Sequence, residues 1–217
     1  MLTIRPVQAA DLPAIYDICV RTAAAGGDAR GHYTTDVLMG DLFAGPYVHL
    51  EPQLAFVLAD TAPSRSAPGG TSRSDAGRAV GYVVGTADTA TFVRRYRDEW
   101  IPRLGDRYPV PPPPPLPRDP EQEMHALHHH PERMLVPGLD GYPAHLHIDL
   151  LPDYQRRGHG RRLIERFLSV VPAPGVHVAM VTANVGARPF YDRLGFVELP
   201  VSDPGPLTYL GARTGRR

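Results

Sequence analysis

The stretch Leu150-Leu151-Pro152-Asp153-Tyr154-Gln155-Arg156-Arg157-Gly158-His159-Gly160-Arg161 limits the fold more than any other part of the chain. An alternating run, His145 to Leu151, precedes it, and a run with Leu163, Ile164, Phe167 and Leu168 on one helical face follows it. A strand therefore ends, the chain turns tightly, and a helix begins. The first N–H groups of that helix have no partner inside it, and together with the helix dipole they make an anion site. Gly158 and Gly160 let the backbone approach a bulky phosphate, and the arginines add charge suited to phosphate oxygens. A pyrophosphate suits such a turn.

The rest of the chain supplies a sheet and helices around this turn. Leu2 to Val7 alternates as a strand, and Asp11 and Pro13 open a helix with Leu12, Ile15, Ile18 and Cys19, expected to end near Gly26-Gly27. Thr34 or Thr35 is the expected cap of a second helix carrying Val37, Leu38, Leu42 and Phe43. Leu54 to Leu58 and Ala79 to Val84 read as antiparallel strands joined by a long mobile loop, Thr61 to Arg78. Phe92, Tyr96 and Trp100 form one aromatic stripe on a helix from Thr91 to Trp100, a pattern more often core than ligand site. Pro111 to Pro115 must be polyproline II, and the segment up to Pro143 reads as a surface insertion able to act as a lid. Val176 to Val181, Phe196 to Val201 and Leu207 to Ala212 are further strands; Ala187 to Leu194 is a short helix closed by Gly195. The order βααββα-insert-βαβαββ predicts an α/β (α+β) domain, a mixed, mostly antiparallel sheet flanked by helices. One domain over residues 1–217 is expected, with insertions at about 61–78 and 103–143.

Composition excludes several classes. The 23 basic residues balance 23 acidic ones, which speaks against nucleic-acid binding by bulk charge. Every Lys/Arg position is Arg; the chain has no lysine. The single cysteine, Cys19, cannot form an internal disulfide. No apolar run is long enough to span a membrane, and the N-terminus lacks the pattern of a signal peptide, so a reducing cytoplasm is the expected location.

The spacing Gln155-x-x-Gly158-x-Gly160 after an apolar strand resembles the acetyl-coenzyme A motif of the GNAT (Gcn5-related N-acetyltransferase) superfamily. Further on, Asn184, Ala187, Phe190-Tyr191 and Leu194-Gly195-Phe196 resemble that superfamily's second signature. The likeness is best over residues 144–200. A closer resemblance lies in the N-terminal half. Leu38-Met39-Gly40-Asp41, Ala55 to Asp60, Gly81 to Asp88 and Trp100-Ile101-Pro102 are similar to the acetyltransferase-like (pseudo-HAT) domain of eukaryotic O-GlcNAcase. That domain is regarded as a pseudo-acetyltransferase with a degraded cofactor turn, whereas the turn here is intact.

The resemblance implies acetyl transfer from acetyl-CoA to an amine of a small molecule or protein, by direct attack. It implies that N–H groups near Leu150 and Leu151 bind the acetyl oxygen and pantetheine, and that Gln155, Arg156, Arg157, Gly158, His159, Gly160 and Arg161 hold the pyrophosphate. Asn184 would bind the pantetheine arm or order a water, with Ala187 and Phe190 completing the cofactor wall. Tyr191 matches the tyrosine that protonates the departing thiolate; the alternative is a packed tyrosine. His145, His147 and Asp149 share one strand face, and His-Leu-His resembles the paired histidines of arylalkylamine N-acetyltransferases, where they are proposed to relay the amine proton. A histidine beside a carboxylate would have a raised pKa and titrate in the range such a base needs. The alternative is a hydrogen-bonded structural cluster; zinc held by these residues is a weaker reading, and no metal is expected. His125 and His128-His129-His130 read as an exposed patch without a role. Two rivals stand beside acetyl transfer to an amine: a cofactor-binding pseudo-enzyme acting as sensor or docking module, and an enzyme using a longer acyl group or a hydroxyl acceptor. Aromatic residues in the insertion permit a homodimer.

Overall fold

The computed structural model describes residues 1–62 and 76–215; the expected mobile loop falls largely outside them. Seven strands among the described residues form one sheet, in the order β1-β2-β3-β4-β5-β7-β6. They are β1 (Leu2–Pro6), β2 (Phe56–Asp60), β3 (Arg78–Thr86), β4 (Ala144–Leu150), β5 (Gly175–Val181), β6 (Val197–Glu198) and β7 (Leu207–Arg213). The helices are α1 (Leu12–Val20), α2 (Val37–Phe43), α3 (Gly45–Leu50), α4 (Thr89–Arg95), α5 (Ile101–Leu104), α6 (Pro120–His129), α7 (His159–Val170) and α8 (Arg188–Asp192). All neighbouring strands pair antiparallel except β4 and β5. That one parallel pair meets only at Ala144↔Val176 and His145↔His177. Beyond His145 the two strands part, and a cleft opens between the halves of the sheet.

The two faces of the sheet are covered by different helices. Leu163, Ile164 and Phe167 of α7 are fully buried, and Phe167 packs over Gly85 of β3. Each such side chain contributes about 1.5–3 kcal/mol by leaving water. The opposite face, which carries Tyr82, His145, His147 and Asp149, is covered by α1, α2 and α3. The aromatic stripe is core, as expected: Phe92, Tyr96 and Trp100 are all buried. A π turn over Tyr96–Trp100 makes this register work. Residues four apart drift around an α-helix, and the wider turn brings Trp100 back to the same side.

Several boundaries differ from the sequence reading. The cap of α2 is Asp36, not Thr34 or Thr35; Thr34 instead donates to the Glu121 carboxylate through both its amide (3.0 Å) and its hydroxyl (2.7 Å). The chain leaves α1 at Val20, where the Thr22 hydroxyl bonds back to the Ile18 carbonyl. β6 is two residues long because Pro200 cannot continue a ladder. The insertion is not a bare surface loop. Asp119 and Gln122 form a capping box with Pro120 in the first turn, and α6 follows. His128 is fully buried between Tyr96 and Tyr108, and His129 Nε2 lies 2.9 Å from the Tyr108 carbonyl oxygen, so the expected exposed histidine patch is partly core.

Two of the O-GlcNAcase-like segments, Leu38-Met39-Gly40-Asp41 and Trp100-Ile101-Pro102, meet in one knot. The buried Asp41 carboxylate accepts hydrogen bonds from Tyr16 (2.6 Å), Tyr108 (2.6 Å) and Arg107 (2.7 Å), while Trp100 Nε1 donates to the Asp41 carbonyl at 2.9 Å. This knot ties α1, α2 and the insertion together beside a cavity of about 530 Å³ that Tyr16, Asp41 and Arg107 help to line.

Candidate active site

Strand alternation decides which amides of β4 face the cleft. The Leu151 amide donates to the Val80 carbonyl at 3.0 Å. In an antiparallel pair, hydrogen-bonded positions alternate, and the register pairs Asp149 with Tyr82 and His147 with Val84. Residues 147, 149 and 151 therefore direct their amides at β3. Leu150 and Ile148 direct theirs the other way, into the gap left by β5. This corrects the expectation for Leu151, whose N–H belongs to the ladder, and adds Ile148. Gln155 Nε2 donates to the Leu150 carbonyl at 2.8 Å, which closes the end of the strand.

The turn after β4 has the shape its glycines suggested. Arg156 and Gly158 adopt left-handed conformations, with φ of 57° and 79°, and Gly158 caps α7 without any side-chain hydrogen bond. The helix N-terminus is thus open to an anion. Arg156 and Arg157 are exposed and form no ion pair among the described residues. Arg161 is engaged elsewhere: its guanidinium donates to the Arg193 carbonyl at 2.9 Å and pairs with Glu165 at 3.5 Å. The His159 Nδ1 atom is buried without a hydrogen-bond partner. Gly160 is required for a second reason. A Cβ there would lie 3.0 Å from the Phe190 ring, so the glycine lets α8 dock onto the start of α7. Phe190 and Ala187, read from sequence as cofactor wall, pack against the core.

Asn184 ends the opposite wall of the cleft. Its amide nitrogen bonds the Val181 carbonyl at 2.9 Å, and its side chain reaches toward Gly26 in the loop after α1. Tyr191 lies against Phe190 and Phe196, with ring centroids 5.1 and 5.4 Å away, and its hydroxyl has no hydrogen bond among the described residues. Burial raises its pKa well above the usual phenol value, and the charge of Asp149 adds to the rise. A phenol held in its protonated form can donate.

His145, His147 and Asp149 share a face, as alternation required, but their environments differ. His145 is locked: Nε2 lies 2.7 Å from the Tyr47 hydroxyl and Nδ1 2.8 Å from the Thr89 hydroxyl. Burial holds it well below the ordinary imidazole pKa, so it stays neutral. His147 sits among the Tyr47 and Phe43 rings, with centroids 5.2 and 5.9 Å away. Burial, with the charge of Arg133, lowers its pKa to about 4. No carboxylate raises it, contrary to the sequence expectation. Asp149 instead accepts the Tyr82 hydroxyl at 2.6 Å, and burial pushes its pKa up to about 6 even against that bond. Among the described residues no group of three or more potential ligands is arranged to hold a metal ion.

The family model for the acetyltransferase (GNAT) domain matches residues 133–198, the segment that contains β4, the turn, α7 and Tyr191. The crystal structure of SsHAT is 52% identical, covers 99% of both chains and superposes with a TM-score of 0.87. This chain belongs to the GNAT superfamily. The structure of yncA from Salmonella typhimurium with its cofactor acetyl-CoA shares the GNAT fold at a TM-score of 0.52, with 15% identity over 100% of this chain and 96% of that one. The Rattus norvegicus protein O-GlcNAcase is 24% identical over 200 residues, 91% of this chain. The chain spans only about a fifth of the length of that relative. The likeness to O-GlcNAcase noted in the sequence is therefore present, and it concerns a GNAT-like part of a larger protein.

Proposed function

We propose that this chain moves an acetyl group from acetyl-CoA to an amine by direct attack, with Asp149 as base and Tyr191 as acid. One observation carries the reading: the unpaired amides of Leu150 and Ile148 face a cleft whose rim carries a raised carboxylate and a protonated phenol. Acetyl-CoA, when bound, supplies the thioester carbonyl. The Leu150 N–H is positioned to donate to the acetyl oxygen, a fixed dipole of the kind that stabilises developing negative charge. The open start of α7, with Arg156 and Arg157, would hold the pyrophosphate. Asp149 takes a proton from the incoming ammonium, directly or through water. The amine nitrogen then bonds the carbonyl carbon, the carbon–sulfur bond breaks as Tyr191 gives its proton to the sulfur, and the second proton that leaves the nitrogen returns through water to the Tyr191 phenolate. His145 positions Tyr47 and Thr89 and takes no proton.

The test is thiol release by purified protein with acetyl-CoA and a panel of amines. Release that depends on an amine and on Asp149 supports the reading. Tight acetyl-CoA binding without release from any amine would leave a cofactor-binding module. An acyl chain longer than acetyl, turned over faster, would replace the acyl group named here but not the mechanism.

A further inference from the structure

The carboxylate of β4 is held from the neighbouring strand. The register sets Tyr82 of β3 directly opposite Asp149, on the face that α1 covers. Side chains at directly opposed positions on one face are in contact range, and this pair uses it. The Tyr82 ring is fully buried, and its hydroxyl donates to Asp149 Oδ2 at 2.6 Å. A ring packed on all sides cannot swing its hydroxyl away, so the donor is fixed in place by the core itself.

The other polar groups that α1 brings to this carboxyl have their protons committed. Thr22 bears on Asp149, but its hydroxyl gives its proton to the Ile18 carbonyl at 2.9 Å. The Cys19 thiol donates to the Met39 carbonyl at 3.4 Å. Tyr82 also keeps its own proton, because burial and the charge of Asp149 raise its pKa well above the ordinary phenol value. Such a donor holds one carboxylate oxygen whether or not the other carries a proton. Cys19 and Tyr191, which sense the same charge, are likewise kept protonated by burial. Burial pushes His145 and His147 on β4 and His177 on β5 the other way, toward neutral imidazole.

We propose that Tyr82 is a positioning residue for acetyl transfer: its hydroxyl anchors Asp149 Oδ2, favours the ionised carboxyl and leaves Oδ1 for the incoming ammonium. The inference rests on the acetyl-transfer reading above and adds to it a residue that touches neither cofactor nor acceptor. A hydrogen bond to a carboxylate favours its charged form, so the Tyr82 bond offsets part of the burial that would otherwise leave the base protonated and idle. It also fixes which oxygen is free, and a base works only when its free oxygen meets the proton in a suitable pose.

Tyr82→Phe removes the donor and keeps the ring. The Asp149 carboxyl can be followed by NMR in protein labelled with carbon-13 at its aspartate carboxyls, its signal identified by loss in Asp149→Asn. Its titration should move up by about one pH unit in Tyr82→Phe. A 3-fluorotyrosine placed at position 82 is a more acidic phenol and a stronger donor, and it should move the titration down. The pH–rate limb with saturating acetyl-CoA should follow each shift, so that turnover of Tyr82→Phe falls roughly fivefold near pH 6 and less at about pH 9. Circular dichroism checks folding; if Tyr82→Phe does not fold, the sign of the fluorotyrosine shift decides. An Asp149 titration that stays in place, or one that moves while the rate limb does not, overturns the inference. Failure of the acetyl-transfer reading looks different: no amine-dependent thiol release by the wild type, with the Asp149 titration still following Tyr82, refutes acetyl transfer and leaves the anchoring of Asp149 standing.

Discussion

Replacing Asp149 by Asn should make the protein more stable and less active, with a gain in stability that grows with pH. In the folded protein the carboxyl titrates near 6, against an ordinary value of 3.8, because burial disfavours the charged form. A carboxyl with a raised pKa binds its proton more tightly in the folded state than in the unfolded one. Its stabilising effect is therefore complete below about pH 4 and is lost as pH rises through about 6. The whole interval corresponds to a ceiling of about 3 kcal/mol at 1.36 kcal/mol per pKa unit. Asp149 is only half-buried, so water screens part of this, and about 1–2 kcal/mol is the expected cost at pH 8. Asn keeps an oxygen for the Tyr82 hydroxyl and carries no charge. Thermal melts of wild type and Asp149→Asn at pH 4.5 and pH 8 check this. The variant should melt close to the wild type at the lower pH and about 2–8 °C higher at the upper one, taking ~2–4 °C per kcal/mol for a chain of this size. A difference that stays constant with pH, or a variant less stable at pH 8, refutes the assignment of the raised pKa to this carboxyl.

Four further outcomes follow from the same geometry. Wild-type turnover with saturating acetyl-CoA should rise with pH through an ionisation near 6, and Asp149→Asn should remove that limb while His147→Ala keeps it, as pH–rate profiles would show. Tyr191→Phe should lower kcat by roughly 10²-fold with acetyl-CoA affinity unchanged, measured by steady-state kinetics and calorimetry. Gly158→Asp should fold, because a Cβ there meets nothing within 4 Å and Asp tolerates a left-handed backbone, yet it should weaken acetyl-CoA binding about tenfold or more by placing negative charge at the helix N-terminus. His145→Ala should cost about 2–4 kcal/mol in chemical denaturation, since it leaves the Tyr47 and Thr89 hydroxyls without this partner and opens a cavity.

The turn and the second signature were legible because they are local: a few adjacent residues set Gly158, the start of α7 and the position of Tyr191. Period-two alternation likewise placed His145, His147 and Asp149 on one face. What alternation could not give was the state of each group, which depends on partners far along the chain. Tyr82 lies 67 residues from Asp149, and Tyr47 lies 98 residues from His145. Of the two amides named from sequence, Leu150 faces the gap but Leu151 does not, and Ile148 was missed, because that choice depends on β5 leaving β4, a feature of strand pairing with no residue signature. The burial of His128 was hidden for a different reason. The proline run drew the reading of the insertion toward an extended surface segment, although Asp119-Pro120-x-Gln122 is a helix-start signal in plain view.

The three titratable groups of β4 show how one strand face separates structure from chemistry. His145 has both ring nitrogens engaged and can neither accept nor release a proton without losing a bond. His147 is free of such bonds, but its surroundings are aromatic rings and the positive Arg133, so its protonated form is disfavoured and it is a poor base at neutral pH. Asp149 shares the burial, which for a carboxyl acts in the opposite direction and strengthens it as a base. Burial thus weakens the histidines and strengthens the aspartate on the same strand, and the group nearest the open amide of Leu150 is the one whose proton affinity suits work near pH 7. The proposed choice of Asp149 over His147, undetermined by spacing, rests on the sign of the charge that burial penalises.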